Sequence, residues 1–306
     1  MRKRSDFEEN LAEILGSNSQ LAPGQVALLA DLTKKESVFF KQAWMNADEE
    51  RKRQVMSHLI KLHSDNFYLD FTRVFLACLE DSDENIRSQA IMAFEGEEDA
   101  SIITPLVRLL REDNSEKVRV AAAIALGQFA LLAAVKKLLP ARSTEIYSNL
   151  LTVIEGKHET DELKRRCLEA VAPLGSPQVK ELIEQAYRSD DVKVKASALY
   201  AMGRNCDPAW LPIIIEEKDN SEPMIRYEVA EACGELGREE TVSTLVELAG
   251  DGDIQVRKAS VRALEQIDGP RARQALRQLL NSPHQDVREV AQEALEELEI
   301  FGLFDL

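Results

Sequence analysis

Seven aliphatic–cation pairs, spaced 31 to 45 residues apart along this 306-residue chain, are each followed, six positions after the cation, by an alanine. The pairs are Ile86-Arg87, Val118-Arg119, Leu163-Lys164, Val194-Lys195, Ile225-Arg226, Val256-Arg257 and Val287-Arg288; the alanines are Ala93, Ala125, Ala170, Ala201, Ala232, Ala263 and Ala294. From Lys164 onward the cations recur every 31 residues, and the two earlier spacings are 32 and 45. A fixed period of this length is the mark of stacked structural repeats, and it constrains the fold more than any local motif. Three positions after the cation the residues are small (Ala90, Ala122, Cys167, Ala198, Ser260, Ala291), with Val229 the widest. One position beyond the alanine come larger residues: Phe94, Leu126, Val171, Met202, Cys233, Leu264 and Leu295. These offsets trace one face of a helix, here called helix B. Its small residues let neighbouring helices approach, and the larger ones fill the gaps beside them.

Turns rich in Asp, Asn, Ser, Gly and Pro precede helix B, among them Asp113-Asn114-Ser115, Ser189-Asp190-Asp191, Asp251-Gly252-Asp253 and Ser282-Pro283. Such residues cap helices and suit the positive end of the helix dipole. Before each turn lies a shorter apolar helix A, such as Ile102 to Leu110, Trp210 to Glu217, Thr241 to Leu248 and Arg271 to Leu280, and Gly175 and Gly237 close the preceding helix B. One such hairpin cannot bury its apolar face alone, so the copies must stack. The expected fold is all-α, a right-handed α-solenoid of about eight helical hairpins.

The segments "EKVRVAAAIALG", "VKVKASALYAMG", "EPMIRYEVAEACGELG" and "DIQVRKASVRALEQI" resemble short HEAT repeats of the phycocyanobilin-lyase type, over about residues 66 to 306. The resemblance implies a HEAT-like superhelix with helix B on the concave side. It also implies a structural ladder between turn Asp and helix-B Arg of neighbouring repeats, drawn here from Asp191, Asp253, Arg226, Arg257 and Arg288. Residues 1–64 break the pattern and are read as an N-terminal helical cap with a divergent first hairpin, Glu36 to Trp44 and Asp48 to His63, after a helix over Phe7 to Leu15 and a break at Gly16-Ser17-Asn18-Ser19. Residues 65–306 form the array. The 45-residue spacing places an insertion near 131–144, read as a long connection whose Leu131, Leu132, Val135, Leu138 and Leu139 pack over neighbouring hairpins. The tail from Leu298 to Leu306, acidic and then apolar, either docks a partner or folds back on the last hairpin.

The chain carries 38 Lys+Arg against 54 Asp+Glu, a net charge of −16. Residues 1–64 are net +1 and residues 65–306 net −17, so the acid excess belongs to the array. Nucleic acid binds through many cations on a basic face, and this balance argues against it. The longest uncharged apolar run, Val120 to Val135, has 16 residues, short of the roughly 20 a bilayer span needs. Asp6, Glu8 and Glu9 stand where a signal peptide needs an apolar stretch. The reading is a cytoplasmic monomer with no nucleic-acid or membrane partner. Cys78, Cys167, Cys206 and Cys233 show no C-x-x-C pair and read as reduced thiols.

No catalytic, cofactor or metal residue stands out. His58 and His63 are five apart, off the i,i+4 spacing of a helical ligand pair, and no Walker, G-x-S-x-G or G-x-G-x-x-G motif occurs. The HEAT-like deoxyhypusine hydroxylases bind iron through His-Glu pairs just after the repeat's Arg. Here the corresponding pairs, Ser88-Gln89 through Glu289-Val290, offer only Glu228 and no imidazole. The chain is therefore expected not to be an enzyme but a scaffold or adaptor binding a protein partner on its concave face. Resemblance to the bilin lyases leaves a lyase-like or chaperone-like role on a tetrapyrrole-bearing protein as the alternative. A HEAT-like nucleic-acid-binding role ranks third, because Glu169, Glu228 and Glu231 interrupt the Arg columns. Offsets of +1, +2, +5 and +9 from the cation leave the buried stripe, and they select Gln89, Met92, Arg165, Arg166, Glu169, Tyr200, Arg204, Tyr227, Glu228, Glu231 and Arg262 for partner binding. Tyr, Met and Arg among them are favoured interface anchors.

Overall fold

A computed structural model of the chain describes residues 4–16, 21, 23–66 and 68–302. Among them helices and turns are the only regular structure, and the chain divides into two units, residues 1–132 with 138–149 and residues 133–137 with 150–306.

The first unit contains α1 (Arg4–Leu15), α2 (Pro23–Val26), α3 (Lys34–Met45), α4 (Glu49–Asp65), α5 (Thr72–Cys78), α6 (Glu84–Met92), α7 (Ile103–Glu112), most of α8 (Glu116–Ala134) and the start of α9 (Pro140–Ile154). The divergent first hairpin is α3/α4. It starts on a capping box, in which Thr33 and Glu36 satisfy each other's backbone N–H groups. A buried cluster holds it to the next hairpin: Trp44 Nε1 donates to Asp81 at 2.7 Å, and Lys52 Nζ lies 3.1 Å from the same carboxylate. Arg51 is buried beside them and donates to the carbonyls of Ile14 and Glu13, orphan acceptors at the end of α1.

The α8 helix corrects the membrane arithmetic of the sequence. With its polar first turn it has 19 residues and is long and apolar enough to cross a membrane by length and composition. One face of α8, Val118, Ala122, Leu126 and Phe129, is fully buried in the protein, while Ile124 and Leu131 are exposed. Residues 131–144 are not a long loop: they comprise the end of α8, a short connection and the start of α9. Of the leucines and valines expected to pack there, Leu131, Val135 and Leu139 are exposed.

The second unit contains α10 (Asp161–Val171), α11 (Pro177–Tyr187), α12 (Val192–Asn205), α13 (Leu211–Glu216), α14 (Pro223–Leu236), α15 (Val242–Leu248), α16 (Ile254–Ile267), α17 (Pro270–Leu279) and α18 (Gln285–Gly302). Its B helices are α10, α12, α14, α16 and α18, each packed on the next, with α11, α13, α15 and α17 as their A helices. Asp191 and Asp253 cap α12 and α16 by accepting backbone N–H bonds at 2.8–3.3 Å. Gly175 and Gly237 end their helices in the left-handed region as the sequence predicts, and Cys206 and Asp268 take the same conformation without glycine's freedom. The repeat alanines Ala201, Ala232, Ala263 and Ala294 are buried between B helices.

The ladder forms, with a different set of acids. Arg226 grips Asp251 through Nε (2.6 Å) and Nη2 (2.8 Å), while its Nη1 binds the carbonyls of Asn220 and Ser221. Arg257 treats Asp286 and the carbonyls of Asp251 and Gly252 in the same way, and in the first unit Arg87 so holds Asp113. Asp191 and Asp253 are caps and not rungs. In the Asp251-Gly252-Asp253 turn the first acid faces the preceding guanidinium and the second serves its own helix. Where the cation is Lys195, the rung is built from Glu217 at 2.6 Å, which also accepts from Tyr187 and Asn220. Arg288 keeps the two carbonyl contacts, to Ser282 and Pro283, and among the described residues meets no carboxylate. The tip of the tail, Leu303 to Leu306, and the Ser17-Asn18-Ser19 break lie outside the described residues.

Candidate functional site

A B helix in the second unit is enclosed by its own A helix and by a B helix on either side. On α12 this buries Ala196, Ser197, Ala198, Leu199, Ala201, Met202 and Gly203. One stripe stays open: Tyr200 and Arg204 on α12, Tyr227, Glu228, Glu231 and Glu235 on α14, and Arg262 and Glu265 on α16. The helices come close because Gly203 and Gly234 stand where they cross. A Cβ on Gly203 would lie 2.7 Å from the Cα of Ala232, and one on Gly234 would lie 3.0 Å from the Cα of Ala263. Close helices bring the side chains of successive stripes within reach of one another.

On α10, Arg166 pairs with Glu169 (2.9 Å) and Glu162 (3.1 Å), and Arg165 pairs with Glu162 and sits 3.5 Å from Glu169. The buried Ser197 hydroxyl of α12 donates to Glu169 at 2.5 Å. Arg204 of α12 pairs with Glu235 of α14 at 3.0 Å. Three of the four arginines on the stripe are thus engaged with Glu162, Glu169 and Glu235. Glu228 is left over: its Oε2 is shut off from solvent and has no hydrogen-bond partner. Burial, reinforced by the charges of Glu169 and Glu231 and only partly opposed by Arg166 and Arg165, pushes its carboxyl up to about 8. Burial also raises Glu231, against a hydrogen bond from Tyr227. Glu265 is raised by burial and by the neighbouring carboxyl of Glu297 on α18. Burial lifts the Tyr200 and Tyr227 hydroxyls as well, so both remain neutral donors.

Nine of the eleven residues selected from the sequence lie on this stripe of consecutive B helices. Gln89 and Met92 belong to the first unit, where they line a groove of about 1430 Å³ with His63, Tyr68, Arg73 and Glu97. Missed were Ser197, Glu235, Glu265 and Glu297. The +2 and +9 columns already contain Ser197, Glu235 and Glu297, whereas Glu265 stands at +8, a column that α12 and α14 fill with glycine.

The family model for HEAT repeats matches residues 72–155 and 208–296, more than half of the chain. The chain belongs to the HEAT-repeat family. The unmatched stretch between the two matches includes α10 to α12, which nevertheless form the same helical hairpins. Among curated proteins, this HEAT-repeat chain is 28% identical to deoxyhypusine hydroxylase of Drosophila pseudoobscura over 38% of its own length and 39% of the relative's. It is 28% identical to the human enzyme over 34% and 35%. The match to the Eremothecium gossypii protein is longer, 23% identical over 60% of this chain and 63% of that one. The chain thus spans little over a third of the fly and human relatives it matches. Among solved structures, the CpcE–CpcF complex of phycocyanin lyase from Nostoc sp. aligns over 92% of this chain and 96% of that one, with a TM-score of 0.56 and 14% identity. Kap95p bound to RanGDP aligns over 96% and 46%, with a TM-score of 0.51 and 12% identity. At these identities the likeness is one of fold.

The relatives overturn one expectation. The absence of motifs suggested that the chain is not an enzyme, yet its curated relatives carry an enzyme's name. Active groups on a repeat fold are dispersed over separate helices and leave no contiguous motif, so motif absence is a poor guide here. The residues themselves do not fit an iron centre of the His-Glu kind. Among the described residues no three His, Cys, Asp or Glu side chains converge to hold a metal, and Glu228 is surrounded by Glu169, Glu231, Arg165 and Arg166 with no imidazole.

Proposed function

We propose that the B-helix stripe of the second unit is a protein-docking surface centred on Tyr200, Arg204, Tyr227 and Glu228. The observation that carries this reading is the juxtaposition of exposed Tyr200 and half-buried Tyr227 with the Glu228 carboxyl, whose Oε2 lacks a partner, on adjacent helices brought close at their glycines. Aromatic side chains and Arg supply large contact area at low entropic cost, which is why they dominate interface energetics. A rigid stack also pre-organises them, so that little ordering is needed on association. Support comes from the two structures of like fold, each of which is a protein complex, CpcE with CpcF and Kap95p with RanGDP.

The test is affinity capture at low and moderate salt with the natural chain and with a Tyr200→Ala, Tyr227→Ala, Arg204→Glu variant of matched melting temperature. The expected result is a protein retained by the former and depleted at least tenfold by the latter. If every captured protein stays bound to the variant, the surface lies elsewhere.

A further inference from the structure

The acids of the chain fall into two populations with different physics. Those in the turns are satisfied: Asp191 and Asp253 cap helices, and Asp113, Asp251 and Asp286 hold arginines bidentately. Arg226 and its partner hold the Asp251 carboxyl below the usual carboxylate range, as Arg257 does for Asp286. The acids of the stripe behave in the opposite way. Glu228, Glu231 and Glu265 all sit above the usual carboxylate range, first because they are buried and then, for the most part, because other carboxylates flank them. The cations that could answer them are already taken: Arg165 and Arg166 by Glu162 and Glu169, Arg204 by Glu235. Only Arg262, exposed on α16, faces Glu231 and Glu265 without an ion pair among the described residues. A row of carboxyl groups across α14, α16 and α18, bordered by two tyrosines, is therefore answered by the chain's own cations only in part, chiefly by the exposed Arg262.

We infer that the segment docking on this stripe is basic, and that its Lys or Arg side chains seat on Glu228, Glu231 and the Glu265–Glu297 pair with Tyr200 and Tyr227 packing along their aliphatic stems. This rests on the docking surface proposed above and names the chemistry of its partner. A guanidinium or ammonium brought to Oε2 of Glu228 supplies the hydrogen bond that this buried atom lacks. Tyrosine faces favour the same groups through cation–π attraction. The groups around Glu228 that set its charge are Arg165, Arg166 and Glu169 from α10, Tyr200 from α12, and Tyr227 and Glu231 on its own helix. When the cation arrives, Glu228 gives up its proton to solvent and remains as carboxylate. Binding near neutral pH is thereby accompanied by proton release, which general attraction to an acidic protein does not produce.

The experiment is isothermal titration of the full chain at pH 7 with decalysine and decaarginine, in two buffers of different ionisation enthalpy. The expected result is binding that weakens with salt and releases on the order of one proton per peptide bound, a stoichiometry set by the linkage of binding to protonation. A Glu228→Gln, Glu265→Gln variant should bind at least tenfold more weakly and release no proton. A Glu181→Gln, Glu184→Gln variant, which removes two exposed acids of α11, should match the natural chain. If the two variants bind alike, or if the natural chain binds without proton release, the basic-segment inference is overturned. Should the capture variant above still lose its partner while the peptides fail, the docking surface stands and only the chemistry assigned to its occupant falls.

Discussion

Glu228 shows how far one side chain departs from the pattern around it. The sequence marks it as a +2 residue of a repeat, in the column that gives Gln89, Arg166 and Ser197 elsewhere, and nothing in that column signals a buried acid. Its state is set by what neighbouring helices bring: Glu169 from α10 and Glu231 one turn away raise it, and the α10 arginines are spent on other acids. The consequence for stability follows from the direction of the shift. The folded carboxyl titrates near 8, above its unfolded value, so the folded chain binds the extra proton between those limits. Its contribution is fully present below the unfolded value and is lost as pH rises through about 8. Glu228→Gln should therefore leave the melting midpoint unchanged near pH 4.5 and raise it at pH 9, by on the order of 1–3 kcal/mol, or a few degrees. Thermal melts of both proteins across that range check it; a variant destabilised at pH 9 would show that the carboxylate is satisfied by a partner group in the free chain.

Elements were far more legible than side chains. The 31-residue period predicted the A helices α13, α15 and α17 to within a residue or two and placed the B helices between them, because small residues at fixed offsets can be accommodated only where helices cross. But α18 runs on to Gly302, through the start of the segment read as a tail. The rungs were half legible: Arg226 and Arg257 are where the repeat places them, but turns with two acids hide which one caps and which one bridges. The insertion was misread as a loop since helix propensity lets α8 run on to Ala134, ending only where Lys136 turns left-handed. The glycines at +8 carry no signal beyond the repeat itself, and they are structural. Gly203→Ala introduces a Cβ 2.7 Å from the Cα of Ala232, and backbone must yield. Alanine's better helix propensity returns about 1 kcal/mol, while forcing α12 from α14 costs about 1–3 kcal/mol or more. The variant should thus melt earlier by several degrees and also displace Tyr200 and Arg204 relative to Tyr227. An unchanged melting curve would mean that the two helices are not locked at that crossing.

At the scale of the molecule, the net charge of −16 separates into a structural part and a surplus. Turn acids cap helices and hold the ladder. The surplus on the B-helix stripe of the second unit has no such cause, and it is the feature on which the functional reading depends. Composition alone could not separate the two, because which carboxylates have partners is settled only when the repeats stack. The fold was legible for the same reason that the function was not: repetition encodes packing, whereas a docking surface is made by the few positions at which repeats differ. The central claim is that a partner contacts this stripe directly. It is tested most directly by placing a photo-crosslinking residue at position 200 or 227 and, as a control on the exposed side of α17, at position 274. Illumination in extract should join a protein to positions 200 and 227 through a segment containing Lys or Arg, and should join none to position 274. Crosslinks of equal yield at all three positions, or at 274 alone, would contradict the account.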